Sequence, residues 1–293
     1  MRAPPALEAL AQLAEVAAPA ASRAGFDAAV LAALRAGRPA ASEVVQPRDG
    51  RKLELLLGRA HALVARQVMQ ALTATRQQAA SAAARAVEGH ARRMSGGLLR
   101  VGAAAEELAR EALARREAAD FGSLRHLLAR WATDGQQRVR EAAQEGVRRM
   151  DTGRELLDRV GLAADRSWSA AERIVRTETA YAFNASADAA IADLARRAKR
   201  AVYKRWTERV NDTTGAPLDA RVAVDSIVLH GQVAEPDGVF EMPRDARVDA
   251  RLWGRRFAFP PNRPHDRAVL LPWMPGWVGG GWRLRGGRRS AIR

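Results

Sequence analysis

The chain of 293 residues has no cysteine. Disulfides, thiolate metal sites and cysteine nucleophiles are thereby excluded, and a reducing compartment fits. No stretch approaches the ~20 uncharged apolar residues of a membrane span. The apolar N-terminal run MRAPPALEALAQLAEVAAPAAS is broken by Glu8, Gln12 and Glu15, where the centre of a signal peptide is free of such residues, so it does not read as one. Proline is missing from a long middle section: after Pro47 none occurs before Pro217. Uninterrupted helices need such a run, and Ala, Arg, Leu, Glu and Gln fill it. Aromatics are scarce in the same part. Only Phe26, Phe121 and Trp131 precede residue 168, and the other twelve of fifteen rings follow.

What is abundant is positive charge, 48 Lys plus Arg against 33 Asp plus Glu, a net +15. The surplus favours acidic partners, nucleic acid or acidic protein surfaces. Arginine-rich composition of high-GC coding sequences gives the same bias with no binding role.

These patterns predict a mainly α chain with a small α+β C-terminal domain. An alanine-rich helical arm or bundle is expected over 1–165, an α+β domain over 166–275 and a basic tail over 276–293. One or two helices are expected in 7–37. From Arg51 a stripe of Leu53, Leu56, Leu57, Ala60, Leu63, Val64, Val68, Ala71, Leu72, Thr75, Ala79, Ala82, Ala86 and His90 has helical spacing. Some 40 residues at about 1.5 Å each make a rod of roughly 60 Å. Its alanine half buries little area per residue and calls for close contact with another helix. Gly96 and Gly97 end it. Helices are expected at about 103–119 and 121–150, then a loop or short helix over 151–167. No fixed-period repeat is present.

Ser169 and Glu172 have the S-x-x-E spacing of a capping box, which predicts a helix from about Ala170 to about Arg200. It carries the stretch ERIVRTETAYAFN. Its polar residues Arg173, Arg176, Thr177, Glu178 and Asn184 lie beside the apolar stripe of Ile174, Tyr181, Ala185, Ile191 and Leu194, so they need partners in the fold. A strand is expected at AVYKRWTERV (201–210), anchored by Trp206, and turn chemistry at NDTTGAPLDA (211–220). SIVLHGQV (226–233) and VFEMP (239–243) are expected to pair as a hairpin across the Pro-Asp-Gly turn. FAFPPNRPHDRAVLLPW (257–273) reads as extended.

The ordered set Arg173, Arg176, Thr177, Glu178 and Asn184; Lys204 and Trp206; Asp219, Arg221 and Val222; His230, Gly231 and Gln232; Asp237, Gly238 and Phe240; and Pro260 and Pro261 resembles the phage head morphogenesis family, also called the Mu F-like or minor capsid family. The resemblance covers about 168–273. Many members close this region with a Pro-x-Cys-Arg-Cys segment; here it is PPNRPHDRAVLL, so no metal or disulfide role attached to that segment carries over. The resemblance implies a minor structural protein of a phage head, present in few copies and needed for procapsid assembly, genome packaging or delivery. Portal protein, major capsid protein and packaged DNA are the implied partners. The implied location is the virion, at the capsid interior or portal vertex, after synthesis in the bacterial host cytoplasm.

The residues themselves admit several chemistries. Glu178 could act as a base with Arg176 as an anion clamp, both arginines could read phosphates, or the set could be a polar lock that docks the helix on the hairpin. The lock is the simplest account, with His230 capping the hairpin through backbone hydrogen bonds. His230 could join His265 with Asp266 or Asp219 around zinc, which needs three such groups. No H-x-H, H-x-x-H or H-x-x-x-H pair exists, so no metal is expected. There is no G-x-S-x-G and no P-loop lysine, so nucleophilic catalysis and ATP hydrolysis are not expected. No cofactor is expected, and the chain is expected to act by contact, not as an enzyme. The alternatives are a standalone basic DNA-binding protein and, third, a metal-dependent nuclease or transferase. In the tail, Trp273, Trp277 and Trp282 alternate with Arg283, Arg285, Arg288 and Arg289, a pattern suited to docking on a neighbouring subunit or to stacking on single-stranded nucleic acid.

Overall fold

The computed structural model describes residues 47–97, 105–198, 201–210, 216–218, 222–261 and 266–275. The chain is mainly α with a small α+β region. Three long helices come first: α1 (Pro47–Met94), α2 (Ala105–Arg148) and α3 (Gly153–Arg197). Then follow β1 (Tyr203–Thr207), a short helix α4 (Val224–Leu229), β2 (Val233–Ala234), β3 (Phe240–Glu241), a 3-10 turn (Ala250–Leu252), β4 (Arg256–Phe257) and β5 (Val269–Trp273). The one or two helices expected in 7–37 lie outside the described residues.

α1 opens on Pro47, a residue suited to a first helical turn because its missing N–H is not needed there. It stops where the glycines stand: Gly96 and Gly97 take φ of +62° and +88°, and Gly97 N–H donates to Arg92 O at 2.8 Å, a 6→1 closure. Its buried stripe is Val68, Leu72, Ala79, Ala80, Ala83, Ala84, Val87 and Ala91. Ala82, Ala86 and His90, expected on that stripe, are half-buried at its edge.

Three expectations for the helices are corrected. The break near residue 120 does not exist, and α2 is continuous through Gly122. The loop or short helix expected over 151–167 is, from Gly153, part of one long helix, and α3 starts seventeen residues before Ala170. The cap that sets its start is Thr152 with Glu155: Thr152 N–H donates to Glu155 Oε2 at 2.8 Å and Glu155 N–H to Thr152 Oγ1 at 3.5 Å. This T-x-x-E box is reinforced by the C-terminal closure of α2 just before it. Met150 takes φ +55°, and Asp151 N–H reaches Gly146 O at 2.9 Å. Gly146 lets the two helices meet, since a Cβ there would lie 2.5 Å from Leu156 Cδ1. Ser169–Glu172 therefore sits inside a helix whose start was already set. The expected boundary at 165/166 also falls within α3.

The described residues divide into two compact units, one of 75–97, 105–116 and the described part of 176–275, the other of 47–74 and 117–175. The second unit is centred on Val68, Leu72, Trp131, Val139, Ala143, Leu156, Val160 and Val175, one stripe from each long helix. In the first unit, Ala79, Ala80, Ala83 and Val87 of α1 share a core with Phe183, Ala187, Ala190, Ile191 and Leu194 of α3 and with Trp206, Leu229, Phe240, Met242 and Leu270. Alanine on both helices permits the close approach that its small burial per residue demands.

The strands form two antiparallel sheets, β2–β1–β5 and β3–β4. β1 and β5 pair along their whole length, from Tyr203 with Trp273 to Thr207 with Val269. Trp206, as expected, is the anchor, fully buried and edge-on to Phe240 at 5.3 Å. The expected hairpin is corrected. Ser226–Leu229 is helical, because the side chains that bury are Ser226 and Leu229, three apart, and strand alternation would put them on opposite faces. The turn at Pro236–Gly238 forms, with Gly238 N–H on Glu235 O at 3.0 Å. Its arms separate nonetheless: β2 joins β1, and β3 pairs with β4, Phe240 opposite Phe257.

Candidate functional site

Five of the six expected lock residues lie on α3, and Asn184 and Glu178 among them have partners far along the chain. Asn184, fully buried, sits one turn after Ala180. Its Nδ2 donates to Ala180 O at 3.0 Å and to Ala268 O at 2.9 Å, and its Oδ1 accepts from Leu270 N–H at 2.9 Å. One amide side chain thus pins α3 to the start of β5, not to the 226–243 region. Glu178 accepts from Arg76 Nη1 of α1 at 3.0 Å, and the arginine side chain is only 4% exposed. Arg76 was invisible to sequence reasoning, since its partner lies 102 residues away. Arg176 and Thr177 are half-buried on α3, and Arg173 is exposed.

Lys204 on β1 is 1% exposed and pairs with Asp188 of α3 at 2.8 Å, with Phe240 beside it. A lysine buried so fully needs this carboxylate to offset its desolvation. Lys204 and Trp206 share the core-facing side of β1, so the K-x-W spacing has a structural use.

His230 follows α4. Its Nδ1 accepts from Glu208 N–H at 2.9 Å, so it caps the end of β1. Burial, then the Arg205 charge, holds its pKa down at about 4. The uncharged ring is what the geometry requires, because a protonated Nδ1 cannot accept. His90 of α1 is likewise lowered to about 4, by burial and by Arg93 and Arg205.

Next to His230 lies a group that sequence reasoning missed. Glu208, Ser226 and Asp266 are all buried, and the Ser226 hydroxyl contacts Glu208 Oε2 and, at 3.0 Å, Asp266 Oδ1. Glu208 Oε1 accepts from Arg209 N–H at 2.7 Å, and Asp266 Oδ1 from Ala268 N–H at 3.0 Å. Burial and the neighbouring Asp266 push the Glu208 pKa up to about 7. Separations of 18 and 40 residues gave no local signal. Ser226 meets carboxylates, not a histidine, and is fully buried, so the trio is not arranged as a nucleophile with its base.

Among the described residues no three His, Asp or Glu side chains are placed to hold a metal ion. His265 and Asp219 lie outside them, as do Trp277, Trp282, Arg283, Arg285, Arg288 and Arg289. Trp273 is not part of a tail: it closes β5, half-buried, with its ring 5.9 Å from Tyr203. No described helix is long and apolar enough to cross a membrane. Comparisons with protein-family models, curated proteins and solved structures return no match.

Proposed function

We propose that the chain is a minor head protein of a phage or phage-like particle, made in the bacterial host and carried in the virion. It acts by contact with portal, major capsid protein or packaged DNA during head assembly or genome delivery. The observation that carries this reading is the use made of the motif residues. Glu178, Asn184 and Lys204 join α3 to α1, β5 and β1, Trp206 packs on Phe240 of β3, and His230 caps the end of β1. A set used in that way supports a scaffold role, because catalytic groups must meet a substrate.

The test is genetic and structural together. Deleting the gene from its phage or element should leave tails and empty or aberrant heads, and the protein should be found in purified wild-type particles. Normal infectious heads without it would overturn the reading. A paired substitution separates scaffold from enzyme. Arg76→Met with Glu178→Leu replaces the ion pair by apolar contact, which buried pairs tolerate. Assembly should survive the double variant if Glu178 is structural and fail if it is a base.

A second reading, direct DNA binding, is favoured by one observation. Arg244, Arg247, Arg251, Arg255 and Arg256 are exposed along one ordered segment. Three of them are already matched by neighbours, Arg247 by Asp245, Arg251 by Asp249 and Arg256 by Glu241, which weakens the case.

A further inference from the structure

Between β3 and β4 the chain makes two like turns in succession, Asp245–Val248 (DARV) and Asp249–Leu252 (DARL). In each, the fourth N–H donates to the first carbonyl, Val248 to Asp245 at 3.0 Å and Leu252 to Asp249 at 2.9 Å. In each, the carboxylate grips the arginine two residues on. Asp245 Oδ1 accepts from the Arg247 backbone N–H and from Nε, both at 2.9 Å, and Oδ2 accepts from Nη2 at 2.7 Å. Asp249 Oδ1 accepts from the Arg251 backbone N–H at 3.0 Å and from Nε at 3.1 Å, and Oδ2 accepts from Nη2 at 2.6 Å. The turns are tied down behind. Val248 is buried, Leu252 packs on the same core, and Trp253 Nε1 donates to Asp245 O at 3.2 Å. Met242 N–H donates to Arg255 O and Gly254 N–H to Met242 O, each at 2.9 Å, which closes the loop at its base.

A guanidinium has two edges that can hold a carboxylate through paired hydrogen bonds. The Nε–Nη2 edge is taken in both arginines, and the Nη1 edge is open, on side chains 65% and 88% exposed. Exposed pairs of this kind add little to stability. They do hold two arginines in one rotamer, so less freedom is lost when a ligand arrives. Beside them stand Arg244 and Arg255, exposed and without an ion pair among the described residues, and Trp253, 38% exposed. Arginine and tryptophan are among the side chains that dominate binding energy where proteins meet.

We propose that this loop, residues 243–255, is a docking surface for an acidic segment of another protein. Carboxylates of that segment take the open edges of Arg247 and Arg251, and an apolar side chain lies against Trp253. This rests on the contact role proposed above and gives it a surface and a chemistry.

Charge favours a carboxylate partner over a nucleic-acid backbone. Across 241–256, five arginines meet Glu241, Asp245 and Asp249, so the positive surplus is small. Hydrogen bonds from Arg247 and Arg251 hold the two aspartates well below the usual carboxylate range, so the alternation of sign persists through neutral and mildly acid pH. A phosphate chain, charged at every step, gains its affinity from dense neutralisation and would meet these acids. Carboxylates set apart along a polypeptide can pass between them.

The purified full chain is titrated with decaglutamate in about 50 mM salt, and the Trp253 indole and the Arg247 and Arg251 Nε–H signals are read by NMR. These signals should shift and saturate. Arg244→Ala with Arg255→Ala should weaken binding at least threefold. Arg130→Ala with Arg154→Ala, an equal loss of charge at exposed positions of α2 and α3, should leave it unchanged. Asp245→Asn with Asp249→Asn separates held geometry from charge. It keeps an oxygen for each arginine backbone N–H, sets an amide donor against Nη2 and makes the loop more positive. Loss of the grip should weaken decaglutamate binding at least threefold. Unchanged or tighter binding would mean attraction by charge alone and would overturn the proposal. Loop signals that stay still under decaglutamate, or that saturate first with decathymidylate, would overturn it too. Should the Asn pair not fold, the two arginine pairs decide. The titration uses no particles, so the docking surface and the minor-head role can each fail alone.

Discussion

Asn184 makes three hydrogen bonds from one buried amide, two of them to backbone groups more than eighty residues away. Asn184→Ala removes the side chain and strands Ala268 O and Leu270 N–H in the core. Each stranded group costs about 1–3 kcal/mol, so the loss should be about 3 kcal/mol or more in urea unfolding. His230 acts through its neutral form. Its lowered pKa means its contribution is whole above 6.5 and is lost as pH falls towards about 4. His90 behaves alike. Each is worth on the order of 3 kcal/mol across that window. His230→Gln, which keeps an acceptor and cannot titrate, should flatten about half of the acid limb in melts from pH 7 to 4.

At the scale of elements, the helix ends are set by backbone chemistry and the helix faces by size. Met150 occupies a left-handed position that favours glycine, and its side chain is 70% exposed, so it loses little packing on truncation. Met150→Gly relieves about 1–2 kcal/mol of strain against roughly 0.5–1 kcal/mol of added unfolded-state freedom. A net gain of about 0.5–1 kcal/mol is expected in denaturant melts. The alanine face of α1 is the opposite case. Ala83 is fully buried in the core that α1 shares with α3, so Ala83→Leu should cost about 1–3 kcal/mol by overpacking, with helicity preserved in circular dichroism. The α1 rod and its glycine stop were legible because proline absence, stripe and Gly96–Gly97 agree. The start of α3 was misplaced because two boxes compete in sequence. The one that wins, Thr152–Glu155, is backed by the tertiary closure at Asp151 and Gly146. Ser226–Leu229 has strand-like composition, and the burial of Ser226 beside Glu208 and Asp266 makes it a helix.

For the whole molecule, charge and core point in different directions. A net +15 gives a general attraction to phosphate, yet the exposed arginine segment carries its own acids. Retardation of duplex DNA by the purified chain should therefore be seen near 50 mM salt and vanish by about 200 mM, the mark of counterion release without a dedicated site. Binding that survives at 200 mM would favour the DNA-binding reading over the contact role proposed above. Core formation draws on distant segments: α1 alanines, α3 and the strands after residue 200 share one cluster.

By itself the sequence determined the helical class, the long proline-free rods, the anchoring by Trp206 and the residues that would need buried partners. Those properties depend on local periodicity, on propensity and on the cost of burying an unmatched polar group. Only the tertiary structure decided which partners they found: Arg76 for Glu178, Ala268 and Leu270 for Asn184, and the Glu208–Ser226–Asp266 trio for one another. Pairing across 18 to 102 residues is governed by how strands and helices stack, and stacking leaves no trace in the spacing of neighbours along the chain.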